Sequence, residues 1–251
     1  SKVKKKIISG APTVGLFIKT PSIHIIELLA TVGFDFIVLD AEHSPFSVEA
    51  LDRCILAARS SGIQALVRVD SSCSNLIQSV LDMGAAGVVV PHICNAKDAQ
   101  QAIAATKYFG GTRGFAASHR AAAYGTFSAS EYRKESDESV IVIGQIEDST
   151  AVDCIDKIAS VVGFDALFLG RADLAISYGV ESTDDIEVEQ AVSAVCRSCC
   201  AVNRAIGIFL PSIDDAQKHL KEGVSVFFVG SDQSLLQTSA KSLVKKFTSL
   251  R

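Results

Sequence analysis

Asp40, Glu42 and His43 close the run Gly33-Phe-Asp-Phe-Ile-Val-Leu-Asp40-Ala-Glu42-His43, three ionisable side chains directly after an apolar segment. Ionisable groups beside a core strand are costly unless they are paired or working. Asp40 lies close enough to His43 across a tight turn for its carboxylate to orient the imidazole, which is what a histidine base requires. The plainer reading is a strand end that spills polar residues into a loop. Other apolar runs end the same way: Phe17-Ile18-Lys19, Val67-Arg68-Val69, Val90-Pro91-His92, Gly144-Gln145-Ile146-Glu147-Asp148 and Phe168-Leu169-Gly170-Arg171-Ala172-Asp173. Polar loops account for Asp70 or Asp148. They do not account for Arg68 and Gln145, which stand inside apolar runs.

Glu147 and Asp173 are the candidate metal ligands. Two carboxylates from consecutive units, with no nearby thiolate or second histidine at ligand spacing, favour a hard divalent ion. A 2-oxo acid would fill two open positions through its carboxylate and keto oxygen, and Arg68 would offset the charge of that carboxylate or of a nascent enolate. Gly170 leads into a short helix beginning near Asp173, whose first backbone N–H groups could hold a carboxylate.

These residues need a scaffold that gathers strand ends. Short apolar runs at residues 14–18, 36–39, 65–69, 87–90, 140–146, 166–169, 205–209 and 226–229 read as strands, nearly continuous in Val, Ile, Leu and Phe as parallel strands buried on both faces are. Amphipathic stretches at 22–31, 47–60, 74–83, 96–106, 151–159, 186–203, 213–221 and 234–247 read as helices. The alternation predicts a (β/α)8 TIM barrel spanning residues 1–251 as one domain, with the active site where the strands end. A doubly wound sheet fits less well, because no G-x-G-x-x-G follows the first strand. The long stretch 109–137 reads as irregular, and connections of that length are functional or disordered.

Of the 251 residues, 48% are apolar, enough for a full core, and a formal charge of −4 gives no reason to expect nucleic acid or an anionic membrane surface as partner. No apolar run approaches a membrane span, and no leader peptide is read at the start. The Lys2–Lys6 cluster reads as a solvated tail. Seven scattered cysteines suit reduced thiols in a cytoplasmic protein; Cys196, Cys199 and Cys200 lack the second pair or histidines that zinc would want.

The joint pattern resembles the HpcH/HpaI aldolase family, the metal-dependent pyruvate aldolases. The matching pieces are Gly15-Leu-Phe17, the 33–43 run, Val67-Arg-Val69, Leu81-Asp-Met-Gly-Ala85, Val90-Pro91, Arg113-Gly114, Gln145-Ile-Glu147, Gly170-Arg-Ala-Asp-Leu174, Gly179 and Phe228-Val-Gly-Ser-Asp232. They cover essentially the whole chain in order. The resemblance implies that Glu147 and Asp173 hold the metal, Mg²⁺ or Mn²⁺ with Co²⁺ or a similar ion as a substitute, that Gln145 is a pocket residue, and that Arg68 binds the keto oxygen and stabilises the pyruvate enolate. His43, oriented by Asp40, would be the acid/base centre, with Glu42 as a hydrogen-bond partner behind the site. Gly170, Ala172 and Asp173 would cradle the substrate carboxylate, and Phe17 would form a pocket wall. It also implies a trimer or hexamer that exchanges its last helix between copies.

The chain departs from the family pattern at Arg171, where Pro is frequent, and Ala175, where Ser is frequent. The loop 70–75 also lacks the family's usual Trp and Pro. Arg171 either adds a charge for a longer or more acidic substrate or faces solvent; His92 either lines the mouth or is an ordinary loop residue. The expected reaction is cleavage of a 4-hydroxy-2-oxo acid into pyruvate and an aldehyde. Three enzymatic alternatives stay open. One is a Schiff-base mechanism on Lys19. Another is an acyl-CoA lyase of the citryl or malyl type, using Arg113, Arg120 and Arg171 for phosphates. The third is oxaloacetate decarboxylation through the same enolate. A non-catalytic binding or assembly barrel is the alternative from another class.

Overall fold

The computed structural model describes residues 1–70 and 74–250; the loop that follows Arg68, and with it the departure from the family pattern there, lies largely outside them. Eight parallel strands close into a barrel in sequence order: β1 (Thr13–Ile18), β2 (Phe36–Asp40), β3 (Gln64–Arg68), β4 (Gly87–Val90), β5 (Ile141–Ile146), β6 (Ala166–Leu169), β7 (Ala205–Leu210) and β8 (Val226–Ser231), with β8 returning to β1. Each lies within two residues of its apolar run. The helices are α1 (Lys2–Ile8), α2 (Ile23–Ala30), α3 (Val48–Ser60), α4 (Ser74–Met83), α5 (Ala96–Thr106), α6 (Ala129–Ser139), α7 (Ser149–Asp153), α8 (Ile155–Ala159), α9 (Arg171–Tyr178), α10 (Ile186–Ala201), α11 (Ala216–Lys221) and α12 (Asp232–Thr248). The stretch 151–159, read as one helix, divides into α7 and α8 at Cys154.

Strand parity decides what faces the chemistry. Successive side chains alternate between the barrel interior and the helix layer. Phe36, Val38, Leu66, Val89, Ile141, Ile143, Ala166, Phe168, Val226 and Phe228 fill the interior, while Ile37, Leu39, Ala65, Val67, Val88 and Val142 pack outward against the helices. Continuing the inward set by two residues on each strand reaches Asp40, Arg68, Pro91, Gln145 and Gly170. The apolar core therefore ends in a polar layer at the carboxyl ends of the strands. Gly15 makes the interior possible: a Cβ there would sit 2.2 Å from the Phe36 ring.

Two expectations change. The lysine-rich start is not a solvated tail. It forms α1, capped by Ser1, and Val3 and Ile7 plug the amino end of the barrel as part of its interior cluster. The i, i+4 spacing of these two residues puts them on one helix face, and the lysines reach sideways, Lys4 Nζ to the Val140 carbonyl (2.6 Å) and Asp165 (3.1 Å), Lys6 to Asp35 (2.6 Å). The stretch 109–137 is not irregular throughout. It holds a 3₁₀ turn (Arg120–Gly125) and most of α6, and is pinned by Arg113 to Asp82 (2.6 Å) and by Arg120 to Asp52 (2.6 and 2.9 Å).

Among the described residues no helix is long and apolar enough to cross a membrane. The six described cysteines are free thiols; burial pushes Cys196 and Cys199 up to about 12, as suits packing rather than reactive groups. If α1 is a structural plug, Ile7→Ala lowers stability to urea by about 2–5 kcal/mol, whereas Lys5→Ala, on the exposed face, stays within about 0.5 kcal/mol. Equal, negligible effects from both would return the segment to a tail.

Candidate active site

The carboxyl ends of the strands surround a cavity of about 380 Å³. Phe17 and Lys19 from β1 and its end, His43 after β2, Arg68 at the end of β3, Gln145 on β5, Phe168 on β6, and Gly170 to Asp173 at the start of α9 all line it. A second cavity of about 420 Å³ at the opposite end of the barrel, bordered by Ser1, Gln64 and Tyr132, holds none of these groups.

The strongest interaction at the mouth joins Asp40 and Arg68. In the β2–β3 register the two residues are direct partners, so their inward side chains meet. Arg68 Nε donates to Asp40 Oδ1 (2.9 Å) and Nη2 to Oδ2 (2.8 Å), a bidentate pair with Asp40 fully buried and Arg68 7% exposed. Burial acts to raise the Asp40 pKa, but the hydrogen bonds and charge of Arg68, with the His43 backbone N–H and Lys19, outweigh it and hold the carboxyl below its ordinary range. The guanidinium also lies 4.8 Å above the Phe17 ring, which belongs to an aromatic cluster with Phe168, Phe209 and Phe228.

This geometry corrects the role expected of Asp40. Its carboxylate does not reach the His43 ring; it accepts the His43 backbone N–H (3.2 Å) and is otherwise held by Arg68. Glu42 is the acid beside the imidazole. Its Oε2 lies 3.5 Å from His43 Nε2 and 3.4 Å from Arg68 Nε, buried and without a hydrogen bond of its own. His43 itself is half exposed over the cavity. Lys19 Nζ stands 3.6 Å from Asp40 Oδ2, so its ammonium shares that carboxylate with Arg68; its backbone N–H is fixed by Asp232 at the head of α12 (2.7 Å).

The acidic half lies at the ends of β5 and β6, with Asp173 on the cavity wall and Glu147 behind Gln145 and Gly170. Glu147 is 3% exposed. One oxygen accepts the His92 backbone N–H (2.9 Å), and the other accepts from the Gln145 side-chain amide. Burial raises the Glu147 pKa; the His92 N–H and charge work against this, and the nearby carboxylates Asp173 and Glu42 add to it. Gly170 permits the arrangement, because a Cβ there would sit 2.9 Å from Glu147 Cβ and 3.0 Å from its Oε2. His92 takes a left-handed backbone (φ 53°), rare for a residue with a side chain. That conformation aims its N–H at Glu147 and places Nδ1 3.0 Å from Asp148. Burial acts to lower the His92 pKa, but the Asp148 hydrogen bond and the charges of Glu147, Asp148 and Glu42 raise it overall. The sequence offered no sign of this backbone role. Phe168 and Phe209 were also missed, although Phe168 shares the inward parity of Gly170.

The donor set suits a hard divalent cation. A buried carboxylate whose charge is opposed by Asp173 and Glu42 gains from a cation between them, and each Glu147 oxygen keeps a lone pair beyond its present hydrogen bond. Gln145 Oε1 is buried beside it with no partner. Among the described residues no three His, Cys, Asp or Glu side chains converge to hold a metal; an ion at Glu147 and Asp173 would take its other positions from water and substrate oxygens, as Mg²⁺ does. Arg113 and Arg120, considered for phosphate binding, are held by Asp82 and Asp52 and do not line the cavity.

The chain is 34% identical over 232 residues to the 2-dehydro-3,6-dideoxy-6-sulfogluconate aldolase of Pseudomonas putida, covering 92% of this chain and 90% of the relative. It is 34% identical over 223 residues to the 5-keto-4-deoxy-D-glucarate aldolase of Klebsiella pneumoniae, covering 88% and 86%. The crystal structure of a HpcH/HpaI aldolase/citrate lyase family protein from Burkholderia cenocepacia superposes with a TM-score of 0.93 at 28% identity, covering 98% of this chain and 99% of that one. The pattern of the same family matches residues 13–239. With the eight-stranded barrel and the acidic and basic halves of its mouth, this match places the chain in the HpcH/HpaI aldolase/citrate lyase family.

Proposed function

We propose that this protein is a carbon–carbon lyase that reversibly cleaves a 4-hydroxy-2-oxo acid into pyruvate and an aldehyde. The observation that carries the reading is an arginine locked by Asp40 and facing the same cavity as Asp173, with Glu147 buried directly behind Gln145 and Gly170 of that cavity's wall. Glu147 and Asp173 would hold a divalent ion, Mg²⁺ or Mn²⁺, which when bound supplies Lewis-acid polarisation of the 2-oxo acid.

The chain's own groups divide the remaining work. The first backbone N–H groups of α9, at Ala172 and Asp173, have no helical acceptor and are available to the substrate carboxylate. Arg68 faces the keto oxygen, where negative charge develops. His43, with Glu42 beside its ring, takes the proton from the 4-hydroxyl. The O–H electrons form the aldehyde carbonyl, the C3–C4 bond electrons pass into the pyruvate enolate, and a proton returned to C3 completes the reaction. The aromatic wall of Phe17, Phe168 and Phe209 keeps water from the enolate face. Lys19 need not form a Schiff base, since Arg68, with the ion that Glu147 and Asp173 would hold, would serve as the electron sink, and the Lys19 Nζ stands 3.6 Å from the Asp40 carboxylate. The same enolate would form on oxaloacetate decarboxylation. An assembly of three or six copies belongs to this reading: α12 leaves Leu236, Leu243 and Val244 exposed, which exchange of this helix between copies would cover.

Turnover of 4-hydroxy-2-oxo acids is expected to vanish on chelation and return with Mn²⁺ or Mg²⁺; full activity after chelation, with borohydride trapping of Lys19, would contradict the metal reading. Arg68→Met is expected to lower kcat by about 10²–10³-fold, the scale of a lost charge-stabilising donor, and His43→Ala by about 10²–10⁴-fold. Glu147→Gln should weaken Mn²⁺ binding at least about 10-fold by titration calorimetry, and unchanged binding would remove Glu147 from the metal site.

A further inference from the structure

Arg171 has no counterpart in the chemistry described so far. It is the first residue of α9 and lines the cavity beside Asp173, on the side away from the Asp40–Arg68 pair. Unlike Arg68, Arg113 and Arg120, its guanidinium meets no ion-pair partner among the described residues, and its Nε is buried with no hydrogen-bond acceptor. An always-charged group left in this state at a pocket wall is costly unless a ligand completes it. Behind it lies a smaller space of about 170 Å³, and Arg171 and Thr183 border both cavities, standing at the neck between them. The two acids bordering that smaller space are already engaged, Glu189 by Lys218 (3.1 Å) and Glu222 by His219 (2.8 Å). Neither is left to Arg171, and Asp173, which lines the larger cavity beside it, makes no ion pair with it.

We propose that Arg171 is a specificity residue that selects aldehydes carrying an anionic group at the end remote from the carbonyl. This rests on the aldolase reading of the same site. The reacting carbonyl sits between His43 and Arg68, and the tail runs toward the neck. There the guanidinium fork takes a carboxylate, sulfonate or phosphate, with the Thr183 hydroxyl at hand as a second donor.

The test compares pyruvate addition to 5-oxopentanoate and to pentanal, equal in carbon count and differing in the terminal charge. In the unaltered protein kcat/KM for 5-oxopentanoate should exceed that for pentanal at least about 10-fold, the worth of one charge-assisted hydrogen-bonded pair. Arg171→Met should bring the ratio close to one, mainly through KM for the anionic aldehyde, and Arg171→Lys should retain part of the preference. A ratio near or below one in the unaltered protein would overturn the proposal, as would an unchanged ratio in Arg171→Met. Exchange of pyruvate methyl protons with solvent by the unaltered protein separates the two levels. Without exchange the aldolase reading itself falls, and with exchange but no anionic preference only the role of Arg171 falls.

Discussion

The mouth of this barrel depends on the ion pair between Asp40 and Arg68. Both groups are out of water, and a buried pair tolerates the loss of neither partner: removing one leaves the other uncompensated at a cost of about 3–5 kcal/mol. The pair exists because β2 and β3 set the two residues opposite each other. It holds a permanent positive charge at one fixed place, with the Phe17 ring beneath the guanidinium. Arg68 can therefore meet developing negative charge without reorganising, the condition under which such a group contributes most.

The other assignments follow from that constraint. Since Asp40 is taken, the histidine needs another acid, and Glu42 stands there, within reach of both the imidazole and Arg68. Since the cationic side is locked, the opposite side can gather carboxylates. Glu147 is held by the His92 backbone N–H and the Gln145 amide and set against Asp173. The strained backbone of His92 and the bare Cα of Gly170 both serve to let Glu147 occupy that place. Backbone strain of this kind persists only where the surroundings over-determine it.

Much of the fold was legible because burial on both faces leaves a compositional mark. The eight apolar runs read as parallel strands, and their polar ends marked one rim. The pairing of Asp40 was not legible. Proximity in sequence favoured His43, three residues away, while the actual partner lies 28 residues on and depends on strand register, which the apolar pattern does not specify. The lysines of α1 disguised a plug, because Val3 and Ile7 are too few to reveal a helix face until the barrel end they fill is known. His92 read either as a mouth residue or as an ordinary loop histidine, and neither reading found its contribution to Glu147, which comes from its backbone.

The central claim is that Asp40 acts by holding Arg68 for the enolate rather than by orienting a histidine base. Exchange of pyruvate methyl protons with deuterium, followed by NMR with Mg²⁺ present, tests it in Asp40→Asn, because enolisation can be followed without any aldehyde. The account predicts a fall of at least about 100-fold relative to the unaltered protein, with divalent-ion affinity retained. Exchange at the unaltered rate in a folded Asp40→Asn protein would contradict it.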